Sequence, residues 1–318
     1  MLKTLRELRR RGILGINARN ARYILPSNAR KDYPAVDDKL LTKQIAAKAG
    51  LAVPELYGVV RSNHEIKRLP EMLEGLNDFV IKPAQGSGGD GILVVASHSG
   101  DRFRLVSGQI MTLDEIGYHV HTILAGIYSL GGQPDKTLIE YCVKFDPLFE
   151  KIAFQGVPDV RIIVYLGVPA MAMVRLPTRQ SGGRANLHQG AVGAGIDIAT
   201  GVTLSAVCNS RIVTEHPDTG NPVSGLEIPY WEEMLMLAAR SQQLTNLCYQ
   251  GIDIVLDRDK GPMILELNAR PGLAIQIANQ AGLKPRYDII EAHAGTHDGD
   301  AARVAFARER FRADRPII

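Results

Sequence analysis

From residue 54 onward, short apolar runs alternate with glycine- and polar-rich turns. LYGVV follows Pro54, and further runs cover 79–83 and 91–96 on either side of a glycine-rich stretch. TLIEYCV reads as a short buried strand. VRIIVYL (160–166) and VPAMAMVRL (168–176) flank Gly167 as a hairpin, and IDIVL (252–256) and MILELN (263–268) flank the turn DRDKG. Runs of this length, bounded by turn residues, predict strands. Helical spacing appears elsewhere. One helix is predicted from Asp37-Asp38-Lys39 to Gly50, with Asp37 as its cap and Gly50 as its stop. Thr112 and Glu115 form a capping box for a helix reaching about Leu130. Met234, Leu235, Leu237, Ala238 and Leu244 mark a helix over 230–246, and another opens at Pro271-Gly272. Leu2, Leu5 and Leu8, with Arg6, Arg9, Arg10 and Arg11 between them, predict a short basic amphipathic helix. The tail beyond 295 is charged and helical in part. Helices mixed with several hairpins predict the α+β class with antiparallel sheets.

Composition narrows the class further. The chain has 318 residues, with 45% hydrophobic and 22% charged residues, as in soluble globular proteins with a sizeable core. A net charge of +3 is too small to imply a nucleic-acid partner. Cys142, Cys208 and Cys248 are odd in number and far apart, with no CxxC pair. That suggests neither a zinc site nor a disulfide framework. No run approaches the roughly 20 apolar residues of a membrane span, and the N-terminus lacks a secretion signal. A cytoplasmic location is expected. The basic first helix reads as a surface helix packed on the body, with membrane or RNA association as the weaker alternative.

Four stretches carry chemistry. In FVIKPAQGSGGDGILVV (79–95) a glycine-rich turn between strands offers backbone N–H groups that can converge on phosphate, with Lys82 at its base. It is neither a Walker A loop nor a dinucleotide-fold loop, and a plain flexible hairpin remains the competing reading. In GIDIVLDRDKGPMILELNARPG, Glu266 and Asn268 are two apart on one strand and so share a face. If the turn closes a hairpin, Asp253 comes from the neighbouring strand, and three oxygen-bearing side chains make a hard-cation site. Simple exposure to water is the alternative. Arg161, in DVR, and Arg175 lie on a hairpin where they could grip an anion, or form structural ion pairs. GGRANLHQGA (182–191) gathers Arg184, Asn186 and His188 in a polar loop.

The order of these features resembles the ATP-grasp superfamily, and within it the RimK-type α-L-glutamate ligases, over about 37–282. The resemblance implies two α+β subdomains that sandwich ATP. It implies that Lys39 and Lys82 hold the α- and β-phosphates, and that the loop of Gln85, Gly86, Ser87, Gly88, Gly89 and Gly91 folds over them. Glu140, Tyr141, Cys142 and Val143 would form the hinge that contacts adenine. Asp253, Glu266 and Asn268 would bind Mg²⁺, two ions in the usual pattern, with Mn²⁺ as a substitute. Arg175 and Asn186 would hold the γ-phosphate and acyl phosphate, with Arg161 near the same site. Arg270, in NARPG, stands where many relatives carry a small residue and would face the acceptor.

The implied activity is an ATP-dependent ligase joining a small-molecule or peptide carboxylate to an amino acid, glutamate or another. A kinase-like phosphotransferase and a non-catalytic nucleotide-binding module remain as alternatives. The expected domains are 1–36 (basic helix and linker), 37–143 (glycine-loop subdomain), 144–290 (metal-site subdomain) and 291–318 (tail). Only 38 residues precede Lys39, so a truncated or absent pre-ATP-grasp domain is expected, which leaves the acceptor open. Residues 98–136 and 145–156 read as insertions, and a homo-oligomer is compatible with the sequence.

Overall fold

A computed structural model describes residues 2–86 and 88–313, without the side chains of residues 2–5 and Leu130. The chain divides into two compact units. One comprises Asp38–Gln44 and Val53–Val143. The other comprises Met1–Asp37, Ile45–Ala52 and Lys144–Ile318.

The smaller unit is built on β1 (Leu56–Val60), β2 (Phe79–Pro83), β3 (Leu93–Ser99), β4 (Arg102–Leu105), β5 (Ile110–Thr112) and β6 (Thr137–Glu140). They form one antiparallel sheet in the order β1-β6-β2-β3-β4-β5. The helix Leu113–Leu124 opens on the Thr112–Glu115 capping box and sets Ile116, Val120 and Ile123 against Phe79, Ile81, Val95 and Phe103. It stops six residues before the point read from the sequence, because Gly126 turns left-handed (φ 81°) directly after its end. Residues 98–136, read as an insertion, supply two strands and the core-covering helix. The helix Lys39–Lys48 is capped by Asp38, whose Oδ1 accepts from Leu40 N and Leu41 N. Asp37 cannot serve, since it closes the preceding turn Pro34–Asp37.

The larger unit is built on β7 (Asp159–Tyr165), β8 (Val168–Leu176), β9 (Val192–Ile196), β10 (Thr203–Cys208), β11 (Arg211–Val213), β12 (Tyr249–Asp257) and β13 (Gly261–Asn268). Their order is β11-β10-β9-β8-β7-β12-β13, antiparallel throughout. Ile162, Val164, Ile252, Ile254 and Val174 are fully buried. The helix Trp231–Thr245 lies against β7, β8, β12 and β13, and Gly299–Arg310 lies against that helix and β8. The helix expected at Pro271 forms only as the short turn Ile275–Ala278.

Residues 11–28, read as linker, are bound into this unit. Asn28 extends the sheet with its side chain: Oδ1 accepts from Tyr249 N, and Nδ2 donates to Tyr249 O. Tyr23 packs on Tyr165 and Tyr287. Arg19, 6% exposed, donates to Pro271 O. Leu14 exchanges both backbone groups with the Gln276 amide. The backbone at Arg11–Gly12 lies so close to Gly282 that a Cβ there would come within 2.2 Å of the Gly12 carbonyl carbon. Among the described residues, no helix is long and apolar enough to cross a membrane.

Gly282→Ala is expected to destabilise the protein by about 1–3 kcal/mol, the range of an overpacked core site. Urea unfolding checks this. An unchanged midpoint would mean that the 11–14 segment is not seated here.

Candidate functional site

In the larger unit the chemistry is gathered on one face of the sheet by register. The two-residue turn Leu166-Gly167, both with positive φ (49° and 76°), pairs Tyr165 with Val168, the hairpin geometry that fits strand twist. Continued unchanged, that register would set Asp159 opposite Val174 and send Arg175 to the other face. Instead the register shifts after Val164↔Pro169, leaving Ala170 as the extra residue, and Asp159 pairs with Arg175. The second hairpin repeats the device. From Asp257↔Gly261 to Ile254↔Ile264 the register would bring Leu265 opposite Asp253; a bulge there brings Glu266 instead, and Asn268 opposite Gly251. A one-residue slip flips every later side chain, so the two bulges decide which residues meet. The Ala170 carbonyl accepts from Arg286 Nη1 at 2.6 Å. Arg286 is 4% exposed, and burial lowers its guanidinium to about 10.

The resulting row is a buried ion network. Arg161 grips Asp253 with Nε to Oδ1 (2.7 Å) and Nη2 to Oδ2 (2.6 Å). Arg175 grips Asp159 with Nε and Nη2, both at 2.5 Å, and reaches Asp253 Oδ2 with Nη2 at 2.8 Å. Such paired donors match a carboxylate's geometry. Asn268 Nδ2 donates to Asp253 Oδ2 at 3.1 Å. Burial pushes both carboxyls up, but Arg161 and Arg175 together outweigh it at Asp253 and hold it at about 2. At Asp159 burial prevails over Arg175, the Asp253 charge adds to it, and the carboxyl rises to about 6. The bidentate pair and the raised value agree for a group that is ionised at neutral pH with little margin.

The face also bears on a metal. Among the described residues no group of three or more His, Cys, Asp or Glu could hold an ion. The donor set Asp253, Glu266 and Asn268 instead combines two carboxylates with an amide, all oxygen, which suits a hard cation. Asn268 must donate Nδ2 to an acceptor-only carboxylate, which leaves Oδ1 as its other function. Asp253 Oδ2 already accepts three bonds, so Oδ1, with one, is the oxygen a cation would use. The four paired charges cancel, and Glu266 adds a negative one. The set fits Mg²⁺.

The smaller unit holds the other predicted residues. Lys82 Nζ lies 2.5 Å from Glu140 Oε1, so the Glu140 side chain, expected at the adenine hinge through its backbone, is turned into the core. Lys43, missed in the sequence, meets Oε2 at 2.8 Å; its position one turn after Lys39 was the available signal. Lys39 Nζ donates to Gly86 O at 2.5 Å. Gln85 N donates to Asp135, whose carboxylate also accepts from Ser129 Oγ and Lys136 N. Asp135 is thus a further anchor for the glycine loop. At its far end Gly91 O meets His119 Nε2 at 2.9 Å; Gly88 and Gly89 both have positive φ. Ser87 lies outside the described residues. Tyr141 N donates to Glu55 O, and Cys142 and Val143 are half-buried. Asn186, in the larger unit, caps a short turn by accepting from His188 N and makes no described bond to the ion network. Arg270 stacks over Tyr33 at 5.3 Å.

Asp253→Asn is expected to cost about 3 kcal/mol or more, because it leaves buried guanidinium charge uncompensated. The Asp253 contribution, from a carboxyl lowered to about 2 from 3.8, is complete above about pH 4 and lost as pH falls through about 2. Asp159, raised to about 6, acts oppositely: its contribution is complete below about pH 3.8 and lost as pH rises through about 6. The wild-type minus Asp253→Asn difference in urea unfolding should therefore shrink between pH 4 and 2. A pH-independent difference would contradict the network.

Known proteins match this chain as follows. No curated protein matches the sequence. Among solved structures, the ATP-grasp ligase PsnB complexed with minimal precursor aligns at 17% identity and a TM-score of 0.44, covering 84% of this chain and 63% of its own. The D-alanine–D-alanine ligase of Bacillus anthracis, complexed with ATP, aligns at 12% identity and 0.45, covering 87% and 68%. The D-alanyl-alanine synthetase A of Vibrio cholerae O1 biovar eltor aligns at 14% and 0.47, covering 87% and 67%. The chain thus spans less than two thirds of PsnB. The family model described as sugar-transfer associated ATP-grasp matches residues 18–292. With most of its length matched, the chain has the ATP-grasp fold and belongs to the sugar-transfer associated ATP-grasp family.

Proposed function

We propose that this protein is an ATP- and Mg²⁺-dependent carboxylate–amine ligase that forms an amide through an acyl phosphate. The observation that carries the reading is the sheet face of the larger unit, where Asp253, bonded to Arg161, Arg175 and Asn268, pairs in register with Glu266. Carboxylates that bind a dication next to guanidiniums that bind phosphoryl oxygens are the two needs of phosphoryl transfer. Membership of an ATP-grasp family supports ATP as the donor.

In this reading residues 37–143 hold the nucleotide through Lys39, Lys82 and the glycine loop, and 144–290 hold the metal and the acyl phosphate; 1–36 and 291–318 flank them. Asp253, Glu266 and Asn268 hold Mg²⁺, which when bound neutralises phosphate charge as a Lewis acid. The carboxylate bonds use Nε and Nη2 of both arginines, so Nη1 of each is assigned to the transferring phosphoryl group, together with Asn186. A substrate carboxylate oxygen attacks the γ-phosphorus as its bond to the β-phosphate oxygen breaks, and ADP leaves. The amine nitrogen attacks the acyl carbon, the bond to phosphate breaks, and the amine proton passes to solvent. Fixed positive charge at the phosphoryl oxygens is the main catalytic contribution. The acceptor is a peptide or small carboxylate, and glutamate is the added amino acid in the RimK-type reading.

The test is phosphate release from ATP and Mg²⁺ with pooled carboxylates and amino acids, read together with mass spectrometry of products. Release is expected only with both substrates present, and hydroxylamine in place of the amine should give a hydroxamate. Release with carboxylate alone would favour a kinase, and ATP binding without turnover across the pools a non-catalytic module. Glu266→Ala is expected to abolish turnover and keep the fold by circular dichroism. Undiminished turnover would remove the metal assignment.

A further inference from the structure

Two lysines share one carboxylate in the core of the smaller unit. Lys43 Nζ lies 2.8 Å from Glu140 Oε2 and donates to Pro54 O at 2.6 Å. Lys82 Nζ lies 2.5 Å from Glu140 Oε1. All three side chains are 3–6% exposed. Two ammonium groups and one carboxylate leave one net positive charge, and buried charge without a partner is costly. An anion is the group that balances it.

The two lysines are not equivalent. Lys43 is tied to both a carboxylate oxygen and a backbone carbonyl. Among the described residues, Lys82 has Glu140 as its one partner, so two of its three N–H donors remain. Burial lowers Lys43 to about 8, with Glu140 opposing and Lys82 adding to the fall. At neutral pH it is still mostly protonated. Burial raises the Glu140 carboxyl, but Lys82 and Lys43 outweigh it and hold it below its ordinary value.

We propose that Lys43 is a positioning residue for the nucleotide phosphates: it occupies one oxygen of Glu140 and offsets its charge, so that Lys82 is not drawn into a one-to-one pair and keeps its remaining donors for phosphate. The inference rests on the nucleotide-binding reading above. Without Lys43, Glu140 and Lys82 would close into a neutral one-to-one pair that phosphate must break.

Calorimetric titration with ADP and with adenosine tests it, on wild type, Lys43→Met, Lys43→Arg, Glu140→Gln, the Lys43→Met/Glu140→Gln double variant and Lys82→Met. Lys43→Met should weaken ADP binding by about tenfold or more, the size of one charge-assisted hydrogen bond, and leave adenosine binding unchanged. Lys43→Arg should retain ADP affinity. Adding Glu140→Gln to Lys43→Met should restore it, because the competing carboxylate is gone. Glu140→Gln alone should bind ADP at least as tightly as wild type, which keeps the idea testable if Lys43→Met fails to fold. Equal losses for ADP and adenosine, or no rescue by Glu140→Gln, would overturn the proposal in favour of a structural role. Wild-type ADP affinity in Lys43→Met, with loss in Lys82→Met, would overturn this inference and leave the nucleotide-binding reading intact. A wild-type protein that binds no ADP would overturn that reading itself.

Discussion

Two carboxylates and two guanidiniums, buried together on one face of a sheet, are the constraint around which the larger unit is arranged. Asp159, Arg161, Arg175 and Asp253 cancel in charge and share five hydrogen bonds, so none is expendable without exposing a buried ion. The network also fixes its neighbours. Asn268 must present Nδ2 to Asp253, which settles the direction of its Oδ1. Arg161 and Arg175 are held by Nε and Nη2, so their remaining nitrogens have fixed positions. A site built this way has its polar groups oriented before any ligand arrives, which is the condition for electrostatic catalysis.

The smaller unit solves a different problem. Its lysines outnumber the carboxylate they surround, and the core of the sheet therefore stores positive charge beside the strand that leads into the glycine loop. The loop itself is not loosely attached at its described ends. Lys39 and Asp135 hold Gln85 and Gly86, and His119 meets Gly91. The Asp159–Arg161–Arg175–Asp253 network balances its charges within the protein; the Lys43–Glu140–Lys82 cluster leaves a surplus that an anion can satisfy. That division fits a phosphate-bearing ligand and a dication. The match to a sugar-transfer associated family gives the chain an affiliation other than the RimK-type ligases its motifs resemble.

Much of this was legible in the sequence. The Thr112–Glu115 box, the hairpin about Gly167 and the strands carrying Asp253 and Glu266 form where local pattern placed them. These features rest on capping, turn chemistry and short apolar runs, which neighbours within a few residues decide. The place of residues 98–136 was not legible, because the sheet strands their helix covers are distant in sequence and meet it only when the sheet is assembled. Asp37 was preferred to Asp38 as a cap because the turn Pro34–Asp37 gives no strong signal of its own. Lys43 and Asp135 escaped because their partners, Glu140 and Gln85, lie far along the chain.

The sequence by itself determined the strands, their turns and the identity of the charged residues, since all of these follow from local pattern. It also determined that Glu266 and Asn268 share a face, because side chains two apart on a strand must. It did not determine that Asp253 shares that face, nor that Arg175 meets Asp159. Register counted from either turn would have sent those partners to opposite sides. Only the bulges at Ala170 and Leu265 bring them together. A bulge has little signature in sequence, because it is stabilised by what surrounds it: Arg286 donates to the Ala170 carbonyl from 116 positions away, and Ile264 N, beside the second bulge, donates to Ala52 O.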